Sequence, residues 1–197
     1  MALEGYWVEH SPYTPMIQKF LKTWHYSDYT YLQHKETFTL WRPGNFNIPE
    51  LVGVCVYTRP AGASAAKKYW PDNPDRCLEL RRLCLIDDTP KNAESYFVSR
   101  TIKWLKKHTD WEYIISYADP EEGHSGVIYR ASNFKYDGVT GEGKVLSVDG
   151  ERFHIRTLSM LDRPYGREIN ERYKAGDPGV QIITTQPKHI YTYKLIR

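Results

Sequence analysis

Leu78-Glu79-Leu80-Arg81-Arg82-Leu83-Cys84-Leu85-Ile86 is an apolar, strand-forming run, and Asp87-Asp88-Thr89-Pro90-Lys91-Asn92 breaks it. Phe97, Val98, Thr101, Ile102 and Leu105 then recur at helical spacing, so a helix runs to about residue 108 with these five on its buried stripe. Thr89 before Pro90, or Asn92 with Ser95 three positions on, can cap its start. Residues 112–118 return to strand character. Strand, helix, strand in this order predicts a right-handed crossover that leaves both strands parallel. Both strands then end on one sheet edge, where open α/β sheets bind ligands.

Working outward, Pro15–Trp24 reads as an amphipathic helix, with Met16, Ile17, Phe20, Leu21 and Trp24 on one face and Thr14 as N-cap. Strands are predicted at 36–41 and 51–58, joined by hairpin-type turn chemistry, and later at 144–148, 152–158, 181–185 and 190–196. A helix is expected at 124–132, and 163–176 is helical or irregular. Residues 59–76, with Gly62 and several prolines, read as a long irregular loop. No repeat, low-complexity tract or linker is visible, so the 197 residues predict a single mixed α/β (α+β) domain.

The composition excludes several classes. No apolar run reaches membrane-spanning length, and no leader pattern is visible at the start. Cys55, Cys77 and Cys84 form an odd set without Cys-x-x-Cys spacing, and the apolar strand-like runs around Cys55 and Cys84 predict reduced, buried thiols there and a cytosolic setting. A net charge of +3 does not by itself argue for nucleic-acid binding. Its distribution says more. Lys67-Lys68-Tyr69-Trp70 and Lys103-Trp104-Leu105-Lys106-Lys107 interleave cations with rings, a pattern suited to phosphate contact and base stacking, or else to solvated surface.

Two places hold candidate chemistry. The start of the helix after residue 92 offers free amide N–H groups to a pyrophosphate. No Gly-x-Gly-x-x-Gly or Walker pattern is present, so a dinucleotide or ATP is not indicated; a coenzyme A pyrophosphate, which such amides can also hold, stays open beside an ordinary capped helix. Arg81 or Arg82, with Asn92 and Ser95 at the helix start, are its candidate side-chain ligands. The second place is Ile114-Ile115-Ser116-Tyr117-Ala118-Asp119-Pro120-Glu121-Glu122-Gly123-His124-Ser125-Gly126-Val127-Ile128-Tyr129, a strand end that displays Asp119, His124 and Tyr129. Each has a structural alternative: Asp119 as turn initiator, His124 as surface residue, Tyr129 as core aromatic. Asp119 with His25 or His124 could also ligate a metal. Ser116 and Ser125 lack the Gly-x-Ser-x-Gly elbow of a hydrolase.

Read together, His25-Tyr26-Ser27, Leu80-Arg81-Arg82-Leu83, Asn92-Ala93-Glu94-Ser95, Ser116-Tyr117-Ala118-Asp119-Pro120 with Gly123-His124, Ile128-Tyr129-Arg130-Ala131-Ser132-Asn133 and Pro187-Lys188-His189-Ile190-Tyr191 resemble the Mom proteins of bacteriophages over about residues 15–196. That family is similar to Gcn5-related N-acetyltransferases, a central mixed sheet flanked by helices. The resemblance implies an acetyl-CoA-dependent transferase that converts adenine N6 in double-stranded DNA to a methylcarbamoyl derivative, protecting phage DNA from restriction in the host cytoplasm. By the same resemblance His25, Tyr26, Asp119 and Tyr129 are catalytic candidates, Arg81 and Ser95 bind the coenzyme, and His25 and Asp119 are candidate ligands of an iron ion. The chain departs from ordinary acyltransferases in having no glycine-rich turn before the helix. Two alternatives stay open: an acyltransferase acting on a small amine or another hypermodified base, and a DNA-binding protein without catalysis. For strand contact the candidates are Lys67, Lys68, Tyr69 and Trp70.

Overall fold

A computed structural model describes residues 3–25, 33–61 and 63–195. In chain order the elements are β1 (Trp7–His10), α1 (Pro15–Trp24), β2 (His34–Pro43), β3 (Pro49–Thr58), α2 (Ala63–Tyr69), β4 (Cys77–Leu85), α3 (Ala93–His108) and β5 (Tyr113–Ala118). Then come α4 (Val127–Ala131), β6 (Lys135–Val139), β7 (Gly143–Val148), β8 (Glu151–His154), α5 (Pro164–Lys174), β9 (Val180–Thr185) and β10 (His189–Lys194). The fold is mixed α+β, as expected. The chain divides into two compact units, one from the described parts of Met1–Ala118, Gly126–Gly138 and Ile190–Arg197, the other from Asp119–Ser125 and Val139–His189.

The first unit is built on a seven-stranded sheet in the order β1-β2-β3-β4-β5-β10-β6. Strands β1 to β4 pair antiparallel, and β4 pairs with β5 in parallel, as the strand–helix–strand order predicts. Helix α3 buries Phe97, Val98, Thr101, Ile102 and Leu105, the predicted stripe together with Ala93, against Phe38, Leu40, Leu78, Leu80 and Ile114. Each such side chain withdrawn from water contributes on the order of 2 kcal/mol before entropy is subtracted. Tyr57 also belongs to this core, and its hydroxyl is satisfied by Thr101 Oγ1 at 2.6 Å, so the ring is buried without an orphaned polar atom.

On the opposite face α1 packs Ile17, Phe20 and Leu21 on Val54, Val56 and Cys84. Thr14 caps it as read from the sequence, its Oγ1 accepting the Ile17 N–H. The thiols of Cys55, Cys77 and Cys84 are all free and buried, and burial pushes each up to about 12, which keeps them protonated and unreactive at neutral pH.

In the second unit β7 pairs antiparallel with β8 and β9, and α5 covers them through Ile169 on Leu146, Val148 and Val180. Arg172 holds both Asp149 oxygens at 2.8 Å and Asp177 at 2.6 Å, tying α5 to the turns that flank its sheet.

Several sequence expectations are corrected. Residues 59–76 are not an irregular loop, because Ala63–Tyr69 is helical; Ala66 supplies the small buried contact that docks it on Cys77, Ile115 and Ile190. The strand expected over 152–158 ends at His154, whose ring nitrogen accepts the Arg156 N–H and starts a 3-10 turn. The helix expected at 124–132 is shorter, Val127–Ala131, because Gly123 and Gly126 are both left-handed. Among the described residues no helix is long and apolar enough to cross a membrane.

Candidate active site

The sheet opens where β4 and β5 part. Their ladder has the rungs Cys77↔Tyr113, Leu78↔Ile114 and Glu79↔Ile115, and no further rung is formed although β4 continues to Leu85 and β5 to Ala118. At the parting point the Ser116 hydroxyl donates to the Leu80 carbonyl at 3.0 Å, standing in for the strand N–H that is no longer in reach. The cause lies in β4. Its register against β3 jumps from Val56↔Arg82 to Tyr57↔Leu80, so Arg81 is an extra, bulged residue. The core pattern shows the same shift: Leu78 and Leu80 pack on the α3 side, and so do Leu83 and Leu85, one residue out of phase.

The bulge fixes the two arginines. Arg81 Nη1 lies 2.5 Å from Glu79, a carboxylate only 4% exposed whose other oxygen accepts the Ala61 N–H at 3.1 Å. Arg82 donates to the carbonyl of Arg81 at 3.0 Å, and its charge draws down the phenol of Tyr13 against the larger, opposite effect of that ring's burial. Beside Glu79 and Arg81, burial pushes the Tyr117 phenol up to about 12, so it stays neutral at physiological pH. Glu79 and Tyr117 were not singled out from the sequence. A carboxylate two residues before an arginine in an otherwise apolar strand was the available signal.

The turn into α3 is held from two sides. Arg42 on β2 donates to the Asp88 carbonyl at 2.8 Å and to its carboxylate at 3.0 Å, and the Thr89 hydroxyl donates to the Ile86 carbonyl. Asn92, just before the helix, is left-handed at φ 70°, a conformation that glycine and asparagine adopt most readily. The Ser95 hydroxyl points back into the turn, donating to the Asn92 carbonyl at 3.1 Å. Asn92 and Ser95 are therefore together at the helix start, but the expected cap is corrected: the Asn92 side chain makes no capping hydrogen bond, and the Thr89 hydroxyl bonds back to Ile86.

The remaining candidates lie on other elements. Tyr129 sits on α4, its ring 5.1 Å from that of Tyr191 and 5.5 Å from that of Phe134. Asp119 follows β5 directly and belongs to the second unit, where Oδ1 accepts the Glu121 N–H at 3.1 Å and Oδ2 meets Lys188 Nζ at 2.7 Å. His25 ends α1, its N–H bonded to the Leu21 carbonyl, while Tyr26 lies outside the described residues. Lys67 and Lys68 are on α2 rather than on a loop. Trp70 stacks on Tyr113 at 4.6 Å, and with Tyr69 it walls a cavity of about 400 Å³ that also meets Lys135, Asp137 and Lys194.

Iron does not fit these residues. Among the described residues no three His, Cys, Asp or Glu side chains gather as a ligand set, and both Asp119 oxygens already have donors in Glu121 and Lys188. The iron ligation expected of His25 and Asp119 therefore has no support among the described residues.

The sequence matches the Mom protein family over residues 14–196. The chain belongs to the Mom protein family. It is similar to the methylcarbamoylase Mom of Escherichia phage Mu, with 32% identity over 122 residues, which is 61% of this chain and 50% of that relative. The chain thus matches about half the length of that relative. Among solved structures this Mom-family chain is similar to a Bacillus subtilis acetyltransferase in complex with CoA (TM-score 0.53, 14% identity, covering 97% of this chain and 99% of that one). It is also similar to a GNAT family acetyltransferase from Elizabethkingia anophelis with acetyl-CoA bound (TM-score 0.53, 11% identity, 98% and 99%). At these identities the likeness shows the fold, which is that of GNAT acetyltransferases.

Proposed function

We propose that this chain is an acyl-CoA-dependent transferase that modifies adenine at N6 in double-stranded phage DNA with a methylcarbamoyl-type group, so that the DNA resists restriction. The observation that carries the acyl-donor half is the parting of β4 and β5 beside the start of α3. Parted strands leave backbone groups along a cleft that an extended pantetheine amide chain can pair with, and the first amides of α3 suit a pyrophosphate. Acetyl-CoA is the proposed donor, since two solved proteins of this fold hold CoA or acetyl-CoA. The methylcarbamoyl half rests on the name of the phage Mu relative and on membership of the family, and adenine as its target is what the resemblance of the sequence implies.

Bound coenzyme supplies an activated thioester; the chain supplies placement and proton handling. Ser95, Asn92 and the α3 amides hold the pyrophosphate, and Arg81, kept in place by Glu79, lies at the bulge where the strands separate. Adenine N6 is a poor nucleophile because its lone pair is delocalised into the ring, and a base must take its proton as the bond to the acyl carbon forms. Asp119 is the proposed base and Tyr129 the proposed donor to the departing thiolate. The adenine leaves the duplex stack to react. As the N6–acyl bond forms the thioester C–S bond breaks and CoA leaves as the thiol, so acetyl-CoA alone gives N6-acetyladenine. A methylcarbamoyl product requires in addition a nitrogen donor such as ammonia or a small amine, or an acyl donor that already carries that nitrogen, and the product identifies which. Plasmid DNA co-expressed with the protein is expected to yield an adenosine adduct in nucleoside mass spectrometry, and its composition separates the two groups. DNA with no adduct, from cells holding folded protein, rules the reading out.

Asn92 gives a sharper test of the coenzyme site. Asn92→Gly keeps the left-handed turn, and Asn92→Val forces a β-branched residue into it at a cost of about 1–2 kcal/mol. Calorimetric titration with CoA is expected to show near-parental affinity for the first variant and a loss of roughly tenfold for the second. Equal affinities in both would separate the turn from coenzyme binding.

A further inference from the structure

The run Lys103-Trp104-Leu105-Lys106-Lys107 has no part in the site above, and α3 uses it to build a second feature. One flank of the helix carries Tyr96, Arg100, Lys103, Trp104 and Lys107, which with Trp7 of β1 wall a groove of about 380 Å³. Its three cations are exposed, and among the described residues none of them pairs with a carboxylate. Arg100 lies over the Tyr96 ring at 5.0 Å, which orients the guanidinium without neutralising it. Lys106, by contrast, is bonded to Tyr193 outside the groove. No acidic side chain lines the groove. The two glutamates on β1 and β2 are engaged, Glu9 by the Trp7 indole N–H at 2.9 Å and Glu36 by His10 and the Trp111 indole N–H at 2.8 Å. The Trp104 ring is clasped between His10 at 4.0 Å and His108 at 4.7 Å, which makes a fixed floor rather than a loose side chain.

We propose that this groove is a docking surface for the phosphate backbone of one strand of the DNA substrate; the proposal rests on the reading above that DNA is the substrate. Arg100, Lys103 and Lys107 span about 10 Å along the helix axis at about 1.5 Å per residue, which equals the rise of about three nucleotides of one B-DNA strand. Unneutralised cations at that spacing suit a polymer of regularly placed charges better than an acidic peptide, whose charges follow its sequence. The aromatic walls at Trp7 and Tyr96 give the sugars and base edges an apolar contact. Contacts of this kind hold the duplex and carry no sequence preference.

The test compares the parental chain with Arg100→Gln/Lys103→Gln/Lys107→Gln and with Lys19→Gln/Lys22→Gln/Lys35→Gln, which removes equal charge elsewhere. Fluorescence anisotropy with a labelled DNA duplex is read across a salt series, and CoA binding and thermal unfolding are read on the same samples. The groove variant is expected to lose on the order of 100-fold in DNA affinity at 0.1 M salt and to show a shallower salt slope, reduced by about 2–3. Its CoA affinity is expected to stay parental, and the control variant within about threefold on DNA. Equal losses in both variants reduce the effect to net charge and overturn the proposal, as does parental affinity in the groove variant. Binding of polyglutamate as tight as DNA, with the same loss, assigns the surface to an acidic protein instead. A parental chain that binds CoA but no DNA refutes the DNA reading itself, and the surface with it.

Discussion

Replacing Asp119 by Asn is expected to lower adenine modification by about 100- to 10,000-fold, the range over which a general base contributes, while leaving CoA affinity and thermal stability near parental values. Asparagine is the informative choice. It keeps an Oδ1 acceptor for the Glu121 N–H, so the 3-10 turn at Pro120–Glu122 retains its cap. What it removes is the negative charge and the ability to take a proton. The Lys188 ammonium then loses its partner, but that side chain is 46% exposed, and an exposed cation returned to water costs little. Lys188→Met separates two meanings of the result. If Asp119 is the base, losing Lys188 leaves most of the activity, because the carboxylate is still present. If Lys188→Met is as damaging as Asp119→Asn, the pair is a structural clip and another group takes the proton. The readouts are adduct per adenosine by mass spectrometry and unfolding temperature by circular dichroism.

The parts of the molecule that could be read in the sequence are those that obey a single period. The stripe from Phe97 to Leu105 gave α3, its order between two apolar runs gave the parallel pair β4–β5, and Thr14 gave the start of α1. What was hidden depends on a change of period or on distant partners. The spacing Leu78, Leu80, Leu83, Leu85 encodes the bulge at Arg81, yet a strand read by composition alone passes over the skipped residue. Strands β1 and β6 are short and lie at the two edges of the sheet, where one side has no neighbour to demand an apolar pattern. Helix α2 was missed because the prolines and Gly62 around it dominate the local signal, while its buried anchor Ala66 is small. In the candidate site, the pairing of Asn92 with Ser95 was legible as a helix start. The pairing of Asp119 with Lys188 was not, since the two are distant in sequence and nothing local marks a lysine as a partner.

Gly126→Ala is expected to destabilise the chain by about 2–5 kcal/mol, adding about 1–2 for an L-residue in the left-handed region to about 1–3 for overpacking. Gly126 precedes α4 at φ 74°, and a Cβ there would lie 2.2–2.3 Å from ring atoms and the hydroxyl of Tyr191. That ring cannot swing aside. Tyr191 is fully buried, packs against Tyr129 and accepts from Arg130 at 2.8 Å, so it holds α4 at two points beside the glycine. The clash is relieved only by moving α4, and α4 carries Tyr129; modification activity is therefore expected to fall together with stability. Gly123→Ala isolates the steric part, because Gly123 has nearly the same φ, 73°, and nothing within 4 Å of its added Cβ. Scanning calorimetry is expected to place the Gly126 variant roughly 5–15 °C below the parent and the Gly123 variant only about 2–6 °C below it. Equal shifts in the two variants would mean that the backbone conformation alone sets the cost and that Tyr191 yields. A larger shift for Gly126, with loss of adduct formation, ties the geometry of α4 to the packing of Tyr191.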